Sequence, residues 1–173
     1  MEIWDLYTSD RIRTGQTIVR GTPIPEGMFR IVVHLCIFNR KGQMLIQQRQ
    51  VNKSGWPNLW DLTVGGHVQA GETSRMAAER ETMEELGLCV SLAGKRPAVT
   101  PTFENGFDDI FTLEMEVDPG ELRLQEEEVQ AVRWADFDEI MAMIDAETFI
   151  PYHKSLIELL FFFRNHPEAH TKL

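Results

Sequence analysis

The chain has 173 residues, of which 43% are hydrophobic, and this is the size and composition of one domain with its own core. Its 17 basic and 27 acidic residues give a formal charge of −10, which argues against broad binding to nucleic acids or anionic membranes. The N-terminus lacks a signal-peptide pattern, no apolar run approaches the roughly 20 residues that cross a bilayer, and two cysteines give no disulfide framework. We therefore expect a cytoplasmic protein, monomeric or homodimeric, that binds neither nucleic acid nor membrane.

The predicted elements begin with residues 1–27, whose mixed aromatic, charged and Gly/Pro positions indicate an extension or a small hairpin before a main domain at 28–173. Residues 29–38 form an apolar, branched run that predicts a strand buried on both faces. A turn at 39–42 leads to a second strand at 43–49. His34 lies inside the first of these strands, where a hydrogen-bonded core histidine is expected.

A loop at 50–61 precedes the glycine pair Gly65-Gly66, and a helix is predicted from Thr73 to Leu86, capped by Thr73 or Ser74 and ended by Gly87. Helical spacing places Met76, Glu79, Met83 and Leu86 on one side of it. The remaining predicted elements are strands at 88–92, 98–103, after the turn at 105–106 and at 129–134, and amphipathic helices at 137–144 and 156–163. Strands on both sides of one central helix, with helices at the end, predict an α/β fold with a mixed sheet covered on both faces.

The predicted central helix carries three carboxylates that crowd one of its sides. Glu81, Glu84 and Glu85 fall within an arc of about 100°, because i+3 and i+4 positions are neighbours on a helix. Such a cluster is self-repulsive unless a hard cation such as Mg²⁺ or Mn²⁺ binds it, and these cations also bind phosphates. Glu72 precedes the helix, where the glycines allow close approach to a ligand.

The spacing of these residues resembles the Nudix box, G-x5-E-x7-R-E-U-x-E-E-x-G-U, in which U is bulky and apolar. The matching residues are Gly66, Glu72, Arg80, Glu81, Glu84, Glu85 and Gly87, and Thr82 stands where an apolar residue is usual. The resemblance implies a Nudix α/β/α sandwich over roughly residues 28–164. It also implies a metal site of Glu81, Glu84, Glu85, Glu72 and Gly66, with Arg80 supporting the carboxylates by salt bridges.

Residues 49–68 are similar to the isopentenyl-diphosphate isomerase branch of the same superfamily. In that branch a catalytic cysteine directly precedes the Gly-His pair, and this chain has Gly65 there. The isomerases also take a metal-binding histidine from the first strand, and the corresponding position here is Arg30. The chain therefore resembles a hydrolase on an isomerase-like scaffold.

The resemblance implies that hydrolysis needs a base, or a metal-bound hydroxide, to drive water onto one phosphorus, and it leaves the base to Glu81 or to a downstream acid. Glu128 lies shortly before the strand at 129–134, where some family members carry an additional glutamate, although a solvated loop is the alternative. Arg49 and Lys53 are candidates for balancing substrate phosphate charge, with surface solvation as the alternative, and His67 is a further candidate for substrate binding. Strand alternation allows one of Asp108 and Asp109 to face the cleft, and Asp109 is our choice; a role in satisfying the turn is the alternative.

The expected activity is Mg²⁺-dependent hydrolysis, with Mn²⁺ as an alternative ion. A small-molecule nucleotide or other diphosphate, NDP-X, would give NMP and a phosphorylated X. Two other functions stay open: isopentenyl-diphosphate isomerase, and a non-catalytic nucleotide-binding module.

Overall fold

A computed structural model describes residues 1–166, 168 and 170. Its strands are β1 (Ile3–Tyr7), β2 (Arg13–Val19), β3 (Arg30–Phe38), β4 (Met44–Arg49), β5 (Trp60–Asp61), β6 (Val64–His67), β7 (Thr102–Phe103), β8 (Gly106–Glu114) and β9 (Val129–Ala135). Its α-helices are α1 (Ser74–Leu86), α2 (Phe137–Asp145) and α3 (Lys154–Phe163), and a short 3₁₀ helix spans Pro119–Glu121.

The described residues form two sheets, a hairpin of β1 and β2 and a seven-stranded mixed sheet built around β3. β3 pairs in parallel with β8 along its whole length, from Arg30 opposite Gly106 to Phe38 opposite Glu114. Both β6 and β4 pair antiparallel with β3, β6 along Val32–Leu35 and β4 at Phe38. Because β8 pairs with one edge of β3, β4 and β6 both pair with its other edge. The sheet therefore divides between β4 and β6.

Helices cover both faces of the large sheet, which confirms the predicted α/β sandwich. On one face, odd-numbered β3 residues such as Val33 and Leu35 pack with Ala78 and Leu86 of α1. On the other face, apolar side chains of β3 and β4 pack against α2 and α3. Side chains alternate along a strand, so the even-numbered residues of β3 belong to the second face, and two of them, Val32 and His34, lie where the sheet divides.

The ends of α1 are those that the sequence predicts. Thr73 caps the N-terminus by accepting a hydrogen bond from the backbone of Met76 at 3.3 Å. Gly87 ends the helix with a φ of 64°, a left-handed conformation that glycine adopts without steric cost.

The buried side of α1 differs from the apolar pattern. Met76 and Met83 are exposed, whereas Ala78, Thr82 and Glu85 are buried. The hydroxyl of Thr82 donates to the carbonyl of Ala78, so this residue fills a core position without an unpaired polar group.

The prediction of a strand at 88–92 is wrong, because this segment is irregular. Leu92 is fully buried in the core beside α1, and its backbone N–H donates to the carboxylate of Glu79 at 2.6 Å. The strand predicted at 98–103 is reduced to two residues of β7 and a bridge between Val99 and Ile110. Pro97 and Pro101 interrupt this segment, since proline has no N–H to donate to a ladder. The other predicted strands and both C-terminal helices are present, within a few residues of the expected bounds.

Candidate active site at the division of the sheet

A cavity of about 300 Å³ opens where β4 and β6 separate along β3. One wall is formed by carboxylates of α1, the floor by β3 and β6, and the opposite wall by β4 and the loops that follow it. Its lining residues are Glu2, Arg20, Val32, His34, Arg49, Lys53, Gly65, Gly66, His67, Gln69, Arg80, Glu81, Glu84, Glu85, Gln125 and Glu128. The cavity therefore joins most of the predicted site residues.

At Gly66 the side chain of Glu81 from α1 lies directly against the backbone of β6. A Cβ built on Gly66 would collide with the carboxylate of Glu81, so only glycine leaves room for that side chain. This close approach explains why the sequence has a glycine 15 residues before the helical glutamate.

Arg80 lies among the carboxylates and hydrogen-bonds to three of them. Its Nε donates to Glu72 at 2.8 Å, and one Nη donates to Glu81 at 2.9 Å and to Glu84 at 3.0 Å. The other Nη donates to the carbonyl of His67 at 3.0 Å, which fixes the helix to β6. These bonds raise the pKa of Arg80 and, against the effect of burial, lower that of Glu72. Arg80 thus forms ion pairs with three carboxylates, and its role in supporting them stays a prediction.

Glu85 is the most buried carboxylate of the cavity, with 6% of its surface exposed. Gln47 of β4 donates to it at 3.0 Å. Burial, with the charge of Glu81 adding to it, raises the pKa of Glu85 to about 8, and burial also raises that of Glu81. The ionisation of both carboxyl groups would cost less free energy if a cation bound beside them.

The residues on this wall fit a divalent metal ion by their chemistry. They offer hard carboxylate oxygens, burial disfavours the ionised form of Glu85 and so raises its pKa, and Gly66 lets the Glu81 carboxylate lie directly against β6. Within the part of the chain that the structure describes, no three Asp, Glu, His or Cys side chains converge tightly enough to hold an ion together. Arg80 instead bonds to Glu81 and Glu84, so ion binding requires these side chains to turn from the guanidinium.

The opposite wall carries the cationic residues predicted to meet substrate phosphate. Arg49 donates to the carbonyl of Gly55 at 3.1 Å and to the carboxylate of Asp61 at 3.2 Å. Lys53 pairs with Glu128, the carboxylate predicted to complete the site. Glu128 thus lines the cavity from the turn that precedes β9, with 35% of its side chain exposed, and its part in the reaction stays a prediction.

The N-terminal hairpin contributes Glu2 and Arg20 to the cavity, and sequence reasoning did not anticipate this. Arg20 pairs with Glu2 at 2.6 Å, and Glu2 accepts a hydrogen bond from Trp4. Trp4 stacks on His67 with ring centroids 4.4 Å apart. Burial lowers the pKa of His67 to about 4, so this predicted substrate-binding residue faces the cavity as a neutral ring.

A second network, also missed from the sequence, lies beneath the cavity floor. His34 Nδ1 is 2.8 Å from Asp108, and the Tyr152 hydroxyl donates to Asp61 at 2.9 Å. His34 Nε2 lies 3.4 Å from the same hydroxyl, so the two pairs are connected. The sequence signal for this network was a polar residue, His34, inside an otherwise apolar strand. Its partners Asp108 and Tyr152 lie 74 and 118 residues away in the chain, so the sequence did not identify them.

Asp109 lies outside this cavity, in contrast to the choice made from the sequence. It is 1% exposed, and its carboxylate receives hydrogen bonds from Arg11, Ser74 and Thr100. Strand alternation directs Asp108 towards His34 and Asp109 to the other face of the sheet, so Asp108 belongs to the network beneath the cavity floor.

Comparison with known proteins identifies the class of protein that this fold and site define. The family model of the NUDIX domain matches residues 28–160, and the chain therefore belongs to the Nudix family. It shares 47% identity over 152 residues with the Listeria monocytogenes protein named uncharacterized Nudix hydrolase lmo0368, covering 88% of this chain and 90% of that one. The chain is a Nudix hydrolase, a family whose members generally use divalent metal ions and act on small-molecule diphosphates.

Two other relatives show the breadth of the similarity. An isopentenyl-diphosphate Delta-isomerase of Escherichia coli is 34% identical over 149 residues, covering 82% of this chain and 80% of the isomerase. The crystal structure of DR0079 from Deinococcus radiodurans superimposes with a TM-score of 0.72 at 28% identity, covering 92% of this chain and 97% of that one. No helix in the described part of the chain has the length and apolar character needed to span a membrane.

Proposed function

We propose that this chain is a divalent-metal-dependent hydrolase that cleaves the diphosphate linkage of a nucleoside diphosphate joined to another group. Water and NDP-X would give NMP and phosphorylated X. The observation that carries the proposal is the arrangement of charge in one cavity, with Glu81, Glu84 and Glu85 on one wall and Arg49 and Lys53 on the other.

The metal would be held by Glu81, Glu84 and Glu85, with Glu72 and the carbonyl of Gly66 at its margin. Mg²⁺, or Mn²⁺ in its place, would polarise a phosphoryl oxygen and lower the pKa of a bound water. Arg80 has a different task, because it keeps the carboxylates in place on α1 and ties them to β6.

The side chains opposite the carboxylates would bind and orient the diphosphate. Arg49 presents a planar guanidinium suited to paired phosphate oxygens, and Asp61 fixes its direction. Lys53 would exchange its contact with Glu128 for a substrate oxygen. Glu128 would then be free to accept a proton from the attacking water, and Glu81 is the alternative base.

The isomerase function is the second candidate, because several relatives that match most of this chain carry that name. Two features oppose it. The position of the isomerase cysteine is Gly65, and a Cβ built there would lie 2.6 Å from His34 Cδ2. A cysteine at position 65 would therefore require the histidine ring to move. A non-catalytic module has less support, since a protein that only binds nucleotides has no evident need for the buried carboxylate of Glu85.

The test is a screen of nucleoside diphosphates, triphosphates, nucleotide sugars and dinucleoside polyphosphates with Mg²⁺ and with Mn²⁺. We expect metal-dependent release of a monophosphate, and a rate at least about 100-fold lower in Glu85→Gln and in Glu84→Gln. Full activity in both variants would show that the metal assignment is wrong. Interconversion of the two five-carbon diphosphates would support the isomerase, and metal binding without turnover would support the non-catalytic module.

A further inference from the structure

The edge of the His34 ring reaches the cavity through the gap that Gly65 leaves. His34 lines the cavity, and 16% of its side chain is exposed. A Cβ built on Gly65 would lie 2.6 Å from Cδ2 and 2.7 Å from Nε2 of this ring. Any side chain at position 65 would therefore displace the edge of the ring that carries Nε2.

The hydrogen bonds around His34 determine which atoms carry protons. The Asp108 carboxylate is 2.8 Å from Nδ1 and accepts the proton on that atom. Tyr152 has a single hydroxyl proton, which it donates to Asp61 at 2.9 Å. The Tyr152 oxygen that faces Nε2 is consequently an acceptor, which favours a proton on Nε2 as well. This arrangement favours the imidazolium form, in which both ring nitrogens are donors.

Among the residues that the structure describes, a proton on Nε2 has only a weak partner. The Tyr152 oxygen is 3.4 Å away, longer than the usual 2.7–3.2 Å of an N–H···O bond. A charged donor with so long a contact keeps most of its capacity for a stronger acceptor.

The electrostatic environment is consistent with a charged ring. Burial alone would lower the pKa of His34, but the charge and hydrogen bond of Asp108, with smaller effects of Asp61 and Glu85, raise it to about 9. Arg49, bonded to Asp61, is the second cation of the network that faces the cavity. The negative charges of Asp61 and Asp108 thus lie behind the two positive charges.

We propose that His34 binds the substrate directly, with Nε2–H donating to a phosphoryl oxygen at the cavity floor. Side chains of consecutive strand residues point to opposite faces, so His34 beneath Gly65 and Glu81 beneath Gly66 lie on opposite sides of β6. His34 would therefore contact a different oxygen of the diphosphate from any that a metal ion held by the α1 carboxylates would contact. Asp108 and Tyr152 are positioning residues that set the protonation and direction of the ring.

This inference rests on the proposed function only in taking a diphosphate as the ligand, and it can be tested without turnover. Inorganic pyrophosphate is titrated into protein labelled with ¹⁵N-histidine, with and without Mg²⁺, while the ring nitrogens are followed by NMR. The spectrum of His34→Gln identifies the His34 signals. We expect Nε2 of His34 to shift on addition of pyrophosphate. We also expect the dissociation constant to rise about 10-fold in His34→Gln, as the loss of one charge-assisted hydrogen bond predicts.

Two matched variants give this measurement its controls. His153→Gln makes the same change at an exposed histidine, whose side chain makes no cap hydrogen bond to α3, and should leave pyrophosphate affinity unchanged. Glu84→Gln should abolish hydrolysis but leave the metal-free response of His34 to pyrophosphate intact. The failure of the proposed function would thus be seen separately from the failure of this inference. An unmoved His34 signal, or equal affinity in His34→Gln and the parent protein, would overturn the role of His34.

Gly65→Ala tests the same contact from the other side of the gap, and it serves if His34→Gln does not fold. Its methyl group would occupy the space beside Nε2, so pyrophosphate affinity should fall by a similar factor.

Asp108→Asn tests the positioning role, since it retains an acceptor for Nδ1 but removes the charge that favours the imidazolium. We expect a higher KM with kcat unchanged within about twofold, whereas a purely structural defect would lower the active fraction and therefore kcat. Unchanged affinity in Gly65→Ala would contradict the proposed contact, and unchanged KM in Asp108→Asn would contradict the positioning role.

Discussion

The two sides of β6, the strand that contains Gly65 and Gly66, differ in how their charged side chains are arranged. On the α1 side, like charges are gathered within one stretch of sequence, and Arg80 holds Glu72, Glu81 and Glu84 together. On the β3 side, opposite charges alternate in a buried network drawn from distant parts of the chain. The first side has carboxylate charge available for a cation, and the second is compensated internally. Substitutions should therefore produce distinct defects on the two sides.

Arg80→Met should give the largest effect, because it removes the one cation shared by three carboxylates. We expect activity to fall at least about 100-fold and the free energy of unfolding to fall by about 3 kcal/mol in the absence of Mg²⁺. Added Mg²⁺ should stabilise the variant more than the parent protein, since the ion offsets the carboxylate repulsion. Urea unfolding with and without Mg²⁺, together with steady-state rates, measures this.

Arg75→Met, on the exposed surface of the same helix, is the matched control, with an expected change within about 0.5 kcal/mol. Equal stability of Arg80→Met and the parent protein would mean that repulsion between the carboxylates is not what Arg80 offsets.

His34 should make stability depend on pH on the other side of the strand. Its pKa is raised in the folded protein from an ordinary value of 6.5 to about 9, so the folded state binds the proton more tightly. The stabilisation is complete below about pH 6.5 and is lost as the pH rises through 9, by up to about 3 kcal/mol. Unfolding of metal-free protein between pH 6 and 10 measures the slope.

His34→Gln should flatten this dependence, and Glu85→Gln measured in parallel separates the contribution of the carboxylate, whose pKa is raised to about 8. An unchanged slope in His34→Gln would place the pH dependence elsewhere in the molecule.

Asp109→Asn should show that the buried polar cluster around Asp109 contributes to stability and not to the activity of the cavity. Loss of the charge that pairs with Arg11 should cost about 2 kcal/mol of stability, while kcat/KM of the folded protein stays within about twofold. Asp138→Asn, on the exposed side of α2, is the control for the same chemical change. A specific rise in KM in Asp109→Asn would indicate that this residue takes part in substrate binding.

The smallest effect is expected on the outer side of α1. Met83→Gln should change the free energy of unfolding by less than about 0.5 kcal/mol, because Met83 is exposed. Leu86→Ala, three residues further on and fully buried, should cost about 3 kcal/mol. Thermal or urea unfolding of the two variants compares them directly, and a large loss in Met83→Gln would indicate a partner surface on this side.

The sequence by itself determined α1, its caps, the strand at β3 and the carboxylate cluster, because each depends on residues close together in the chain. Thr73 and Gly87 mark the helix ends through local hydrogen bonds and φ preference, and the i+3 and i+4 spacing alone gathers Glu81, Glu84 and Glu85. The strand predicted at 88–92 failed because Leu92 is bonded by a side chain of α1, a contact that strand propensity does not describe.

Only the tertiary structure decided which aspartate bonds to His34, what the N-terminal hairpin contributes to the cavity and which partners the two ring nitrogens of His34 have. Asp108 and Asp109 are chemically equivalent in the sequence, and the pairing of β8 with β3 makes them different. The Tyr152 hydroxyl contacts His34 although 118 residues separate them in the chain. The need for glycine at position 65 follows from the His34 ring that lies beside it. Burial and charge pairing depend on these long-range contacts, so they appear only when the sheet has formed.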